Sequence, residues 1–154
     1  NDKGQIMNTI DIHEILQYLP HRYPFLLIDR ITDFEKDKSL TAIKNVTYNE
    51  PFFPGHYPSR PVMPGVLLIE VMAQAAALLA AISSDVKGGD SNLVYYFVGV
   101  DKVRFKRPVE PGDQLKVDVT LDRKARGMWF CSAVITVDGN RCTSSELMFT
   151  AREV

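Results

Sequence analysis

The longest apolar run in the chain, Val66 to Ile82, is interrupted only by Glu70 and Gln74, and it constrains everything around it. It falls short of the about 20 clean apolar residues that a membrane span needs, so a buried helix in a soluble protein is expected. Pro64 and Gly65 precede the run and Lys87-Gly88-Gly89-Asp90 breaks it off, which predicts a helix from Gly65 to about Ser84. Nearly every face of that helix is apolar, so other elements must wrap it.

The wrapping elements are legible in the flanks. Ile12, Ile15, Leu16 and Leu19 recur at helical spacing, with Asp11 and Glu14 set as a capping box and Pro20 as a stop, predicting a short amphipathic helix. Phe25 to Asp33 and Leu40 to Val46 read as strands around the charged turn Glu35-Lys36-Asp37-Lys38. After the long helix, Leu93 to Val100, Val103 to Phe105, Leu115 to Leu121, Met128 to Val137 and Cys142 to Ala151 read as further strands, with Pro108, Pro111 and Gly112 turning the chain. The prediction is an α+β domain over residues 10–154. A largely antiparallel sheet of about six strands curls around one helix that interrupts the strands after the second. Residues 1–9 are read as a flexible N-terminal extension or expression remnant, with Met7 a natural start and no signal-peptide pattern.

A chain of 154 residues with 45% hydrophobic and 24% charged residues suits one domain with one core. The formal net charge of -1 supplies no whole-molecule basic field for nucleic acid, so a charged partner must meet a local patch. Cys131 and Cys142 fall in a hairpin turning at Asp138-Gly139-Asn140. Pairing of Val137 with Asn140 or Arg141 sets Cys131 opposite Glu146 or Leu147, so the thiols are out of register and are expected free, in a reducing, cytoplasmic compartment. No Cys or His pair has zinc-ligand spacing.

Candidate chemistry concentrates in Pro51 to Gly65 and the helix after it. Glu70 and Gln74 lie four residues apart on one face of an otherwise apolar helix. A satisfied polar pair at an interface is the bland reading. The chemical one is a general acid, its carboxyl raised toward neutrality by apolar surroundings and oriented by Gln74. His56 sits in a loop stiffened by Pro51, Pro54 and Pro58, and a held ring suits a base better than a floppy one; a structural loop histidine is the alternative. His13 and His21 have no companion carboxylate in a buried helix and are read as structural. The free N–H groups of Gly65 and Val66 at the helix start offer a donor site for negative charge, or mark ordinary helix initiation.

Several segments closely resemble the FabZ-type 3-hydroxyacyl-[acyl-carrier-protein] dehydratases of type II fatty acid synthesis: Leu19-Pro20-His21-Arg22-Tyr23-Pro24-Phe25-Leu26-Leu27-Ile28-Asp29, Asn49-Glu50-Pro51-Phe52-Phe53-Pro54-Gly55-His56, Val62-Met63-Pro64-Gly65-Val66-Leu67, Met72-Ala73-Gln74-Ala75-Ala76 and Tyr96-Phe97-Val98-Gly99. The motifs stand in the family's order and spacing from Ile10 onward. The resemblance implies a hotdog fold and a homodimer, usually a trimer of dimers, with the acyl chain in an interface tunnel and His56 of one subunit meeting Glu70 of the other. It implies loss of water from a (3R)-3-hydroxyacyl thioester to give the trans-2-enoyl product. His56 would be the base, Glu70 the acid, and Gly65 a backbone donor to the enolate oxygen, with Val66 and Gln74 positioning substrate.

No cofactor is implied beyond the phosphopantetheine arm of acyl carrier protein, an acidic partner. Lys102, Arg104 and Lys106, alternating with Val103 and Phe105, are expected to share a strand face that could dock it; Arg107, Arg123, Lys124 and Arg126 are further candidates. Tyr96 or Phe97 would line or gate the tunnel. The sister dehydratase that also isomerises its product carries Asp at the acid position and usually lacks Pro-His-Arg-Tyr-Pro, so dehydration alone is favoured. A hotdog thioesterase and a non-catalytic acyl-thioester-binding module are the remaining alternatives.

Overall fold

The computed structural model describes residues 8–87 and 93–153. Its elements run α1 (Ile12–Tyr18), β1 (Arg30–Glu35), β2 (Ser39–Asn45), a 3-10 turn at Phe53–Gly55, α2 (Gly65–Ser84), β3 (Leu93–Phe105), β4 (Gln114–Ala125), β5 (Met128–Val137) and β6 (Asn140–Glu153). The six strands make one antiparallel sheet in the order β1-β2-β4-β5-β6-β3. The sheet packs on α2 through β2, β3, β4, β5 and β6, giving the hotdog arrangement.

α2 has the predicted bounds. Every residue from Val71 to Ile82 is buried, so a helix long and apolar enough to cross a membrane by length and composition serves here as the core. Small side chains at Ala73, Ala75, Ala76, Ala77, Ala80 and Ala81 let the sheet approach it closely. The helix ends at a left-handed Asp85 (φ 57°), whose N–H reaches the carbonyls of Ala81 and Ile82. Gly88, Gly89 and Asp90, expected to break it, lie outside the described residues, as do residues 1–7 of the predicted extension. Asn8 itself donates to the Phe34 carbonyl at 3.0 Å. α1 starts as predicted, with the Asp11 carboxylate accepting from the Glu14 N–H at 3.1 Å.

The strands depart from expectation where side chains replace the ladder or bulges preserve it. Residues 25–29 are not strand, because the Phe25 carbonyl and the Leu27 N–H are taken by the side chain of Gln74. The two predicted strands at 93–105 are one, kept continuous past irregularities at Phe97/Gly99 and Asp101/Arg104. Lys102, with φ 53°, lies within the second of these. β4 runs past Leu121 through a further irregularity to Ala125, and its hairpin turns on Arg126 (φ 55°) and Gly127 (φ 78°), the positive pair a two-residue turn requires. Val137 pairs with Asn140 and Cys131 lies opposite Leu147. Both cysteines are free and buried.

Candidate active site

His56 is held by its own loop. Phe53, with no exposed surface, plugs the 3-10 turn into the core, and its carbonyl accepts the His56 N–H at 3.0 Å. On the far side the His56 carbonyl accepts from the Val62 N–H at 2.9 Å. The ring's Nδ1 lies 2.8 Å from the Val62 carbonyl. A carbonyl oxygen can only accept, so Nδ1 carries a proton, and in the neutral ring the lone pair is the one on Nε2. The Tyr57 ring stacks on the imidazole at 4.2 Å.

The cavity of about 300 Å³ beside this ring brings His56 together with Gly65, Phe105, Lys106 and Arg107. Pro64 opens α2 and no side chain caps it. Its carbonyl takes the N–H groups of Leu67 and Leu68, leaving those of Gly65 and Val66 without a partner among the described residues. The Val66 side chain is 72% exposed. The His56 ring and Gly65, with its unpaired N–H, thus share one depression that Val66 does not line, able to receive a proton and to stabilise a developing oxyanion.

Glu70 lies elsewhere. Five residues along a helix is a rotation of about 140° from Gly65, and Glu70 lines a second, mostly apolar cavity of about 210 Å³ with His21, Gln74, Tyr95 and Phe97. Gln74 is 1% exposed and fully used. Its oxygen accepts from Leu27 at 2.8 Å, and its nitrogen donates to the Phe25 carbonyl at 2.7 Å and to Glu70 Oε2 at 2.9 Å. Within one chain the structure therefore joins Glu70 to Gln74 and His56 to Gly65, but no residue lines both cavities.

The reading of His21 as lacking a carboxylate partner is corrected. Its Nε2 lies 3.5 Å from Glu70 Oε2, and burial pushes the ring's pKa below the ordinary histidine range, against a smaller upward pull from Glu70. The contact spans 49 residues, invisible to any local spacing; only the family-like Pro20-His21-Arg22-Tyr23-Pro24 segment marked the region. His13 is exposed. Of the two aromatic candidates, Phe97 lines the Glu70 cavity while Tyr96, on the other strand face, is 45% exposed; Tyr95, not singled out from sequence, lines it too. The expected cationic strand face is also corrected: the irregularity between Asp101 and Arg104 breaks the simple alternation, and Lys102 sits 3.5 Å from Glu146. Lys106 and Arg107 instead flank the His56 cavity.

An antiparallel sheet wrapped on one core helix, with a histidine loop beside that helix's N-terminus, defines a hotdog domain. The chain matches the FabA-like domain family over residues 19–146, and it belongs to that family. It is 60% identical to the 3-hydroxyacyl-[acyl-carrier-protein] dehydratase FabZ of Nitrosospira multiformis, over 93% of this chain and 97% of that one. It is 57% identical to the protein of the same name from Janthinobacterium sp., over 96% and 94%. Among solved structures, the dehydratase heterocomplex ApeI:P of Xenorhabdus doucetiae is similar in fold, with a TM-score of 0.76 at 20% identity over 90% of this chain and 91% of that one.

Proposed function

We propose that this chain dehydrates (3R)-3-hydroxyacyl thioesters carried by acyl carrier protein to trans-2-enoyl thioesters in fatty acid biosynthesis, at a site completed by a second copy of the chain. The observation that carries the chemistry is the commitment of His56 Nδ1 to a carbonyl, which leaves Nε2 bare beside the unpaired N–H of Gly65. Nε2 takes the C2 proton while Gly65, backed by the dipole of α2, stabilises the enolate oxygen. The electron pair then forms the C2–C3 double bond as the C3–O bond breaks. Glu70, oriented by Gln74, protonates the departing hydroxide, and the proton held by His56 returns to Glu70 for the next turn. Protons and one C–O bond are all that change hands, so a cofactor beyond the carrier's phosphopantetheine has no step to perform.

The separation of His56 from Glu70 within one chain supports a shared site, as does the edge position of β3. This strand ends the sheet order, and Val98 and Val100 on it are 49% and 38% exposed, a combination that invites pairing with another chain. A trimer of such dimers follows the family resemblance. The apolar cavity behind Glu70 would take the acyl chain against Phe97, and Tyr96 would gate the partner's cavity. Lys106 and Arg107, with Arg104 nearby, suit an acidic carrier and its phosphate. The two free, buried thiols suit a reducing, cytoplasmic compartment.

The test is conversion of (3R)-3-hydroxyacyl carrier protein by the pure protein, read as conjugated enoyl thioester, alongside folded His56→Ala and Glu70→Gln proteins. Product lost in both supports the assignment. Substrate binding without product from the parent chain overturns it.

A further inference from the structure

Strand β2 turns Leu40, Ala42 and Lys44 to the same buried face. A third aliphatic residue is what that pattern calls for, yet a lysine only 5% exposed stands there. Its Nζ lies 2.7 Å from Glu50 Oε1 and donates to the Asn45 carbonyl at 3.1 Å. Glu50 Oε2 accepts the Thr47 N–H at 2.9 Å, so both carboxylate oxygens are spent on one corner of chain. The two side chains are 6% and 13% exposed, which makes this a desolvated pair, unlike the solvated ion pairs on the rim.

Glu50 is also where the histidine loop begins. Its carbonyl accepts the Phe53 N–H at 3.4 Å, and the Phe53 carbonyl in turn accepts the His56 N–H. From the sheet to the imidazole there is thus a short series of fixed links: β2, Lys44, Glu50, the 3-10 turn, His56. The opposite end of the loop is fastened independently, by the Met63 N–H on the Val109 carbonyl at 2.7 Å.

We propose that Lys44 and Glu50 are positioning residues for the reaction: their buried ion pair fixes the loop so that His56 Nε2 stands at one place relative to Gly65. The proposal rests on the reading of His56 as the base. An apolar pair of similar volume would fill the space and spare the desolvation of two charges, but it would not hold the Thr47 N–H or fix the corner's angle. Catalytic geometry tolerates little of that slack; a displacement of about 1 Å can cost on the order of a hundred-fold in rate.

The discriminating protein is Lys44→Met with Glu50→Gln, which leaves no lone buried charge and is therefore expected to fold with a melting temperature near the parent's. Its kcat is expected to fall about ten-fold or more with KM within about two-fold. The His56 ring signals in a spectrum of isotopically labelled histidine should shift from their parental positions. Lys44→Arg, which keeps the charge, should recover most of the kcat. Parental kcat in the double variant, or a loss of kcat with the His56 signals unmoved, overturns the proposal. Should the double variant fail to fold, Glu50→Asp, one methylene too short to reach both partners, is judged by the same two readouts. A parent chain without dehydratase activity would sink the functional reading alone, since the ring signals report the clamp whether or not the enzyme turns over.

Discussion

Gln74→Leu isolates the polar joint at the middle of the core helix. The substitution keeps the side chain's approximate volume and removes three hydrogen bonds, stranding the buried Leu27 N–H and leaving the part-buried Phe25 carbonyl without its amide donor. A stranded buried backbone group costs about 1–3 kcal/mol. Taking about 2 for the Leu27 N–H and about 1 for the Phe25 carbonyl, whose residue is 47% exposed, and crediting the new aliphatic surface with about 1, the net loss is about 2 kcal/mol. At roughly 3 °C per kcal/mol for a chain of this size, the melting temperature should drop by about 6 °C, measured calorimetrically at one fixed protein concentration because any assembly would make it concentration-dependent. Gln74→Glu sharpens the test. It sets an acceptor oxygen against the Phe25 carbonyl and Glu70 Oε2, so the native state favours the protonated form of the new carboxyl. The native state then binds more protons than the unfolded one, and stability rises as pH falls. The deficit relative to the parent should therefore shrink between pH 8 and pH 5. A Gln74→Leu protein melting within about 2 °C of the parent would refute the claim that this amide carries the 25–27 segment.

Gly65→Ala would place a Cβ 3.0 Å from Phe105 Cε1; since the Phe105 ring is 54% exposed it can swing aside, so stability should change by under about 1 kcal/mol while kcat/KM falls at least about ten-fold, a split that parallel melting and turnover measurements would read. Burial pushes the Cys131 thiol up to about 12 and raises that of Cys142, so a thiol-exchange reagent at pH 8 should label neither until denaturant is added; prompt labelling of the native protein would contradict the burial. For His21, whose ring is held below its ordinary 6.5 by burial, the unfolded chain binds more protons between the lowered value and 6.5, so stability falls as pH drops through that window. His21→Gln should flatten this segment of the stability curve in denaturant titrations from pH 7.5 to 5, and an unchanged slope would assign it to other groups.

The sequence was most legible where one periodicity dominated. The apolar run from Val66 with Pro64 and Gly65 at its head placed α2, and the turn at Asp138-Gly139-Asn140 set the register that keeps Cys131 opposite Leu147. Reading failed where a side chain does a backbone's work, as Gln74 does for residues 25–27, and where a strand outruns its core. Beyond Leu121, β4 is polar on both faces, so alternation fades while hydrogen bonding continues to Ala125. The site divided in the same way. His56, Glu70 and Gly65 stood out through chemistry unusual for their surroundings, whereas the His21 contact with Glu70 joins distant segments and the burial of Lys44 against Glu50, six residues on, depends on how the corner after β2 folds.

One helix serving two depressions has a genetic consequence. With the paired subunits proposed above, each chain lends its histidine and the start of α2 to one site and its Glu70 to the other. In a cell making equal amounts of normal and altered chain, loss of Glu70 alone would spare one site in every mixed pair, and output would decline in proportion to dose. Loss of His56 and Glu70 together would silence both sites of every mixed pair, so the doubly altered allele would act dominantly while either single alteration would not.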